Sequence, residues 1–142
     1  MNVPEARVVF AADIMFMGGH QIMWNGPVEN FIKALDLIMY LEPEYIALGH
    51  GPVTDIKGAE ERKQYWEHYH GEAKKRFDQG MEPLEAASDI DPGRFAGYLD
   101  PEKTVLNINS LYQHFKNDLT PLSPVEQFTP MAAFAKTRHQ LT

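Results

Sequence analysis

Two residues stand where side-chain chemistry would be easiest to build. Asp13 closes the apolar run Val8-Val9-Phe10-Ala11-Ala12, and His50 sits between glycines at the end of Tyr45-Ile46-Ala47-Leu48-Gly49-His50-Gly51-Pro52. A carboxylate and a neutral imidazole are both competent zinc ligands, and a carboxylate can also bridge two metals. Gly49 and Gly51 would let the backbone turn sharply and bring the imidazole close to an ion. The ordinary roles of these residue types must be set beside this one. A strand-end aspartate is often a turn former, and a single histidine more often packs or is solvated than binds metal. What would unite the two is strand geometry. A strand, a crossover helix and a second strand in one sheet form a parallel unit with both C-termini on one edge, backbones about 5 Å apart. Open α/β sheets hold their ligands in the crevice outside that edge. Asp13 and His50 are therefore expected as metal ligands.

The elements that must position them follow from the apolar pattern. Residues 7–12 are apolar after Arg7, with β-branched Val8 and Val9 and no polar alternation, which suits a strand covered on both faces. Residues 14–17 continue the apolar run until Gly18-Gly19 breaks it, and residues 20–24 are expected as an irregular loop closed by Asn25-Gly26-Pro27. Asn25 or Gly26 before Pro27 marks a helix start. Val28, Phe31, Ile32, Leu35, Ile38 and Met39, at offsets of three and four, predict a helix over about 27–41. Glu42-Pro43 ends it, and residues 45–48 form a short buried strand. A long charged helix is expected over 58–79, with Tyr65, Trp66, Tyr69, Ala73 and Phe77 on one stripe and Gly80 as terminator. Residues 83–88 form a short helix, Asp91-Pro92-Gly93 a turn, and 95–99 a helical piece. A last helix begins at Pro101, with Val105, Ile108, Leu111, Tyr112 and Phe115 in register. From Asp118 onward Pro121, Pro124 and Pro130 predict an extended tail or linker.

Composition narrows the classes. With 142 residues the chain fits one domain, and 44% hydrophobic with 11% aromatic residues argues for a packed protein rather than a disordered one. A net charge of −7 offers no basic footprint for nucleic acid and mildly favours a cation. The chain has no cysteine, which excludes disulfides, thiolate metal sites and cysteine nucleophiles. No apolar run approaches the roughly 18 residues of a membrane span, and residues 1–5 lack the features of a signal peptide. A cytoplasmic protein is expected. Serine nucleophile elbows, phosphate-cradling loops and dinucleotide fingerprints are absent.

Val9-Phe10-Ala11-Ala12-Asp13-Ile14-Met15-Phe16 resembles the strand–Asp–strand motif of the metallo-β-lactamase superfamily of hydrolases. The stretch from Trp24-Asn25-Gly26-Pro27 through Leu37 resembles the helix that follows in the glyoxalase II-like branch. Ala47-Leu48-Gly49-His50-Gly51-Pro52-Val53 is similar to that superfamily's Pro-Gly-His-Gly-Pro motif, with Leu48 in place of the first proline. The resemblance implies that Asp13 matches the bridging aspartate and His50 the last histidine of the second metal position. It implies an α/β (α+β) fold: the C-terminal half of an αββα sandwich over residues 1–57, a helical extension over 58–117, and the Pro-containing tail over 118–142. It also implies one or two zinc ions in the complete site, with zinc-activated water attacking an ester, thioester or lactam-type bond of a small-molecule substrate.

The superfamily's main motif, His-x-His-x-Asp-His, is not among this chain's six histidines, which are His20, His50, His68, His70, His114 and His139. A catalytic zinc needs at least three protein ligands and an open position. The expected partner is accordingly a second copy, in a homodimer, or a complementary N-terminal half. The alternative is a non-catalytic remnant or assembly module. His20, seven residues after Asp13 in a glycine-flanked loop, is the nearest further ligand candidate, or else lines a substrate pocket. Trp24 is a second pocket candidate. His68 and His70 are two apart, so on a helix they point about 200° apart and do not form a metal pair.

Overall fold

A computed structural model describes residues 1–24, 27–118 and 120–139. Within them the chain is of mixed α+β class, with a three-stranded sheet and five α-helices. The sheet order is β1-β2-β3, from β1 (Asn2–Val3), β2 (Val8–Phe16) and β3 (Tyr45–His50). β1 pairs antiparallel with β2, and β2 pairs parallel with β3. Helix α1 (Val28–Tyr40) makes the crossover between the parallel strands. Its stripe lies as the spacing predicts, with Val28, Leu35 and Ile38 buried and Phe31, Ile32 and Met39 packed against the core. Pro27 stands just before the first helical residue. The helix start expected at Asn25 or Gly26 lies outside the described residues.

The expectation that the first strand is covered on both faces is corrected. Val9 and Ala11 are buried, whereas Phe10 is 46% exposed and Ala12 is open. β3 repeats the pattern, with Ile46 buried and Tyr45 exposed. Helix α1 covers one face only, so the β2–β3 pair presents Phe10 and Tyr45 outward.

Helix α2 (Ile56–Asp78) begins slightly earlier than its composition indicates, because the Asp55 side chain accepts hydrogen bonds from the N–H of Lys57 at 2.9 Å and of Gly58 at 3.4 Å. Gly80 adopts φ +76° after its end, and Met81 N–H reaches back to Arg76 O at 3.0 Å. The aromatic stripe packs inward: Tyr65, Trp66, Tyr69 and Ala73 are buried. Helix α3 (Pro83–Asp89) and helix α4 (Lys103–Phe115) follow.

Two further expectations are corrected. Residues 95–99 are not a helix. A single tight turn covers Gly93–Phe95, and the chain is then drawn out because Leu99 N–H bonds Gly18 O at 3.0 Å and His20 N–H bonds Leu99 O at 2.9 Å. The segment expected as an extended tail forms helix α5 (Pro124–His139). Its start is a capping box: Glu126 N–H donates to Ser123 Oγ at 3.3 Å and Ser123 N–H to Glu126 Oε2 at 2.8 Å. Pro124 occupies the first helical position, where a missing N–H is harmless. One core runs from Val9 on β2 to Phe134 on α5, so sheet and helices share it. Among the described residues no helix is long and apolar enough to cross a membrane.

Candidate functional site

The Asp13 position is made by an irregularity that alternation cannot forecast. Between the pairs Phe10↔Ala47 and Phe16↔His50, β2 advances six residues while β3 advances three. The excess is taken up by bulging, and Ala12 adopts φ +47°. Asp13 therefore lies within β2 rather than just beyond its end, as the apolar run up to it implied. The bulge sets the Asp13 carboxylate over Gly49. A Cβ on Gly49 would fall on Asp13 Oδ1 and come within 3.0 Å of Ala12 C. Gly49 shares its sheet face with Tyr45 and Ala47 by alternation, so the carboxylate sits on the open face. On the other side of His50, Gly51 holds φ +108°, and a Cβ there would meet Met17 O at 2.8 Å. Both glycines thus admit close backbone approach.

His50 ends β3. Its carbonyl accepts from Met17 N–H at 3.1 Å, and its ring lies against Phe16 with centroids 4.3 Å apart. His50 Nε2 and Asp13 Oδ1 are 3.6 Å apart, with side-chain exposures of 65% and 77%. Two donors on one tetrahedral zinc, each about 2.1 Å from it, stand about 3.4 Å apart. The pair fits two coordination positions. It does not fit a complete site: among the described residues no group of three or more His, Asp or Glu side chains is arranged to hold a metal ion.

His20 does not join the pair. It is 2% exposed, with Nδ1 3.1 Å from Tyr65 Oη and its ring set among Tyr65, Tyr69 and Tyr98. It also borders a cavity of about 250 Å³ with Tyr69, Thr104 and Phe134. Trp24 is 51% exposed and lines a different cavity of about 210 Å³ with Leu106, Ser110 and His114, while its ring meets Phe128 edge-on. The described walls of that cavity include neither Asp13 nor His50. His68 and His70 face apart, as their spacing requires. His68 Nε2 is 2.9 Å from Asp91 O, whereas His70 Nε2 is 4.0 Å from Glu29 Oε1 and its ring lies against Phe115.

Sequence reasoning missed a buried polar network behind the pair. Gln21, fully buried, donates through Nε2 to Asp13 O at 2.7 Å and Ile14 O at 3.0 Å. Arg62, also fully buried, donates through Nη2 to Phe16 O and to Gly19 O at 3.2 Å. Its guanidinium lies 4.6 Å from the Tyr65 ring centroid and 5.3 Å from that of Tyr98, and burial pushes its pKa down. Asn107 completes the network, accepting from Met23 N–H at 2.8 Å and donating to Gln21 O at 2.7 Å. Burial raises the pKa of Tyr65. Burial, and then the bond to Glu61, pushes Tyr98 up to about 12. One signal was available: Arg62 lies on the Tyr65–Trp66–Tyr69 stripe, a cation at an inward position. No protein-family model matches the chain, and no curated protein is similar to it.

Proposed function

We propose that Asp13 and His50 form half of a zinc site in a hydrolase of the metallo-β-lactamase superfamily, whose other ligands come from a complementary half or a second copy. The observation that carries this reading is the 3.6 Å approach of a carboxylate and an imidazole, with donor spacing suited to one zinc, at one end of a parallel strand pair. Asp13 would hold the ion through Oδ1, in a position to bridge, and His50 through Nε2. Zinc held there would supply the Lewis acidity that makes water nucleophilic near neutral pH. The remaining architecture in this reading is the C-terminal half of an αββα sandwich, in which the outward face bearing Phe10 and Tyr45 is covered by the missing sheet. The substrate class is a small molecule with an ester, thioester or lactam-type bond, and the compartment is the cytoplasm.

The test is zinc calorimetry and thioester and lactone hydrolysis by the purified chain, alone and with a separately expressed half carrying a His-x-His-x-Asp-His motif. The reading expects weak zinc binding at Asp13 and His50 by the chain alone, and tight binding with hydrolysis only when the ligand set is completed. Failure of the completed complex to bind zinc, or zinc binding unchanged by Asp13→Asn and His50→Gln, contradicts it. A second reading is a non-catalytic assembly module using the open sheet face, and the outward Phe10 and Tyr45 are the observation that supports it. A completed complex that forms tightly but binds no zinc would select it.

A further inference from the structure

We infer that Gln21 and Arg62 are positioning residues that hold the bulged segment 13–17, and through it the separation of Asp13 and His50. The inference rests on the metal-pair reading for its functional meaning, but its structural part stands on the hydrogen bonds alone. A bulge takes backbone carbonyls out of the ladder, and a buried carbonyl without a partner is costly. Here the carbonyls of Asp13 and Ile14 are taken by Gln21 Nε2, and that of Phe16 by Arg62 Nη2. Phe16 packs on the His50 ring, and Met17 N–H bonds His50 O. The two side chains therefore brace the segment from both ends of the pair.

The unused atoms of both residues argue against simple packing. Gln21 Oε1 and Arg62 Nε and Nη1 are buried without hydrogen-bond partners among the described residues. Burying such atoms destabilises a fold, and apolar side chains of similar size would fill the space without that penalty. Among the described residues, the hydrogen bonds of the Gln21 amide nitrogen and the Arg62 guanidinium go to carbonyls at Asp13, Ile14, Phe16 and Gly19. The arrangement spends buried polarity on the backbone beside the pair. Outer groups that orient metal ligands in this way typically change metal affinity by about 10–100-fold when removed.

The experiment uses the full chain and two readouts. Gln21→Met removes the donor at nearly constant volume, and Arg62→Lys keeps the cation but loses the fork. Leu35→Ala, on the buried face of α1, serves as a control for general destabilisation. Residue-resolved amide exchange should give about tenfold faster exchange at Met17 in Gln21→Met, with α2 amides unchanged. Zinc titration followed by the His50 ring resonances should give about tenfold weaker binding in the same variant. Arg62→Lys should change both in the same direction. Exchange at 13–17 equal to wild type in Gln21→Met, or acceleration spread over the chain as in Leu35→Ala, overturns the inference. If zinc leaves the His50 resonances of the wild type unmoved, the metal reading fails instead, and the exchange result alone decides the positioning.

Discussion

At the residue scale, the pair is held by what its neighbours lack. Gly49 has no side chain where Asp13 Oδ1 lies, so Gly49→Ala should displace the carboxylate. The exposed carboxylate can rotate away and the Ala12–Asp13 backbone need yield only slightly, so the expected loss of stability is about 1 kcal/mol or less, read by denaturant unfolding together with a shifted Asp13 amide resonance. An unshifted resonance would mean that the carboxylate does not occupy that space. The buried tyrosines give a pH prediction. Burial raises the Tyr65 pKa, and Tyr98 is pushed up to about 12. An unfolded tyrosine ionises near pH 10. For groups whose folded pKa is raised, the stabilisation is present below about pH 10 and is lost as pH rises towards 12. Tyrosinate absorbance should therefore lag for part of the six tyrosines until helical circular dichroism collapses. Complete ionisation near pH 10 with helices intact would contradict it. Asp13 and His50 were legible because apolar runs end on them. Gln21 and Asn107 were not, and Arg62 was legible only as a cation on the inward stripe of α2: their types usually face solvent, and only the three-dimensional return of loop 20–24 onto α2 and α4 buries them.

At the element scale, the parallel unit β2–α1–β3 was legible, since two short apolar runs flank a clean three-and-four stripe. The bulge in β2 was not, because an unbroken apolar run carries no alternation in which to see a register slip. Helix α5 was legible in Ser123-Pro124-Val125-Glu126, a capping box with proline at the first helical position, but three prolines outweighed that signal. Pro130 lies inside α5, where proline typically costs about 3 kcal/mol. Pro130→Ala should raise the thermal midpoint and the helical signal, and an unchanged helical signal would count against α5 as drawn. At the start of α2, Asp55→Ala should cost about 1 kcal/mol, measured as a lower denaturation midpoint with an unchanged slope. No change would mean that the cap bonds are not formed in solution.

At the scale of the whole molecule, an outward sheet face and a two-donor pair belong to one feature. The Asp13 carboxylate lies on the face that presents Phe10 and Tyr45, so whatever covers the apolar strip also reaches the pair. Contiguous exposed apolar area favours association, and sedimentation should find a dimer or a tight complex that Phe10→Ser weakens. A compact monomer whose behaviour is indifferent to Phe10 would argue against this. The central claim remains that Asp13 and His50 bind one ion together. Its most direct test follows the imidazole resonances of the histidines during zinc titration of the wild-type chain and of Asp13→Asn. The account predicts that His50 Nε2 shifts first and saturably, and that Asp13→Asn weakens this response. A His50 signal unmoved by zinc, or moved equally in Asp13→Asn, would contradict it.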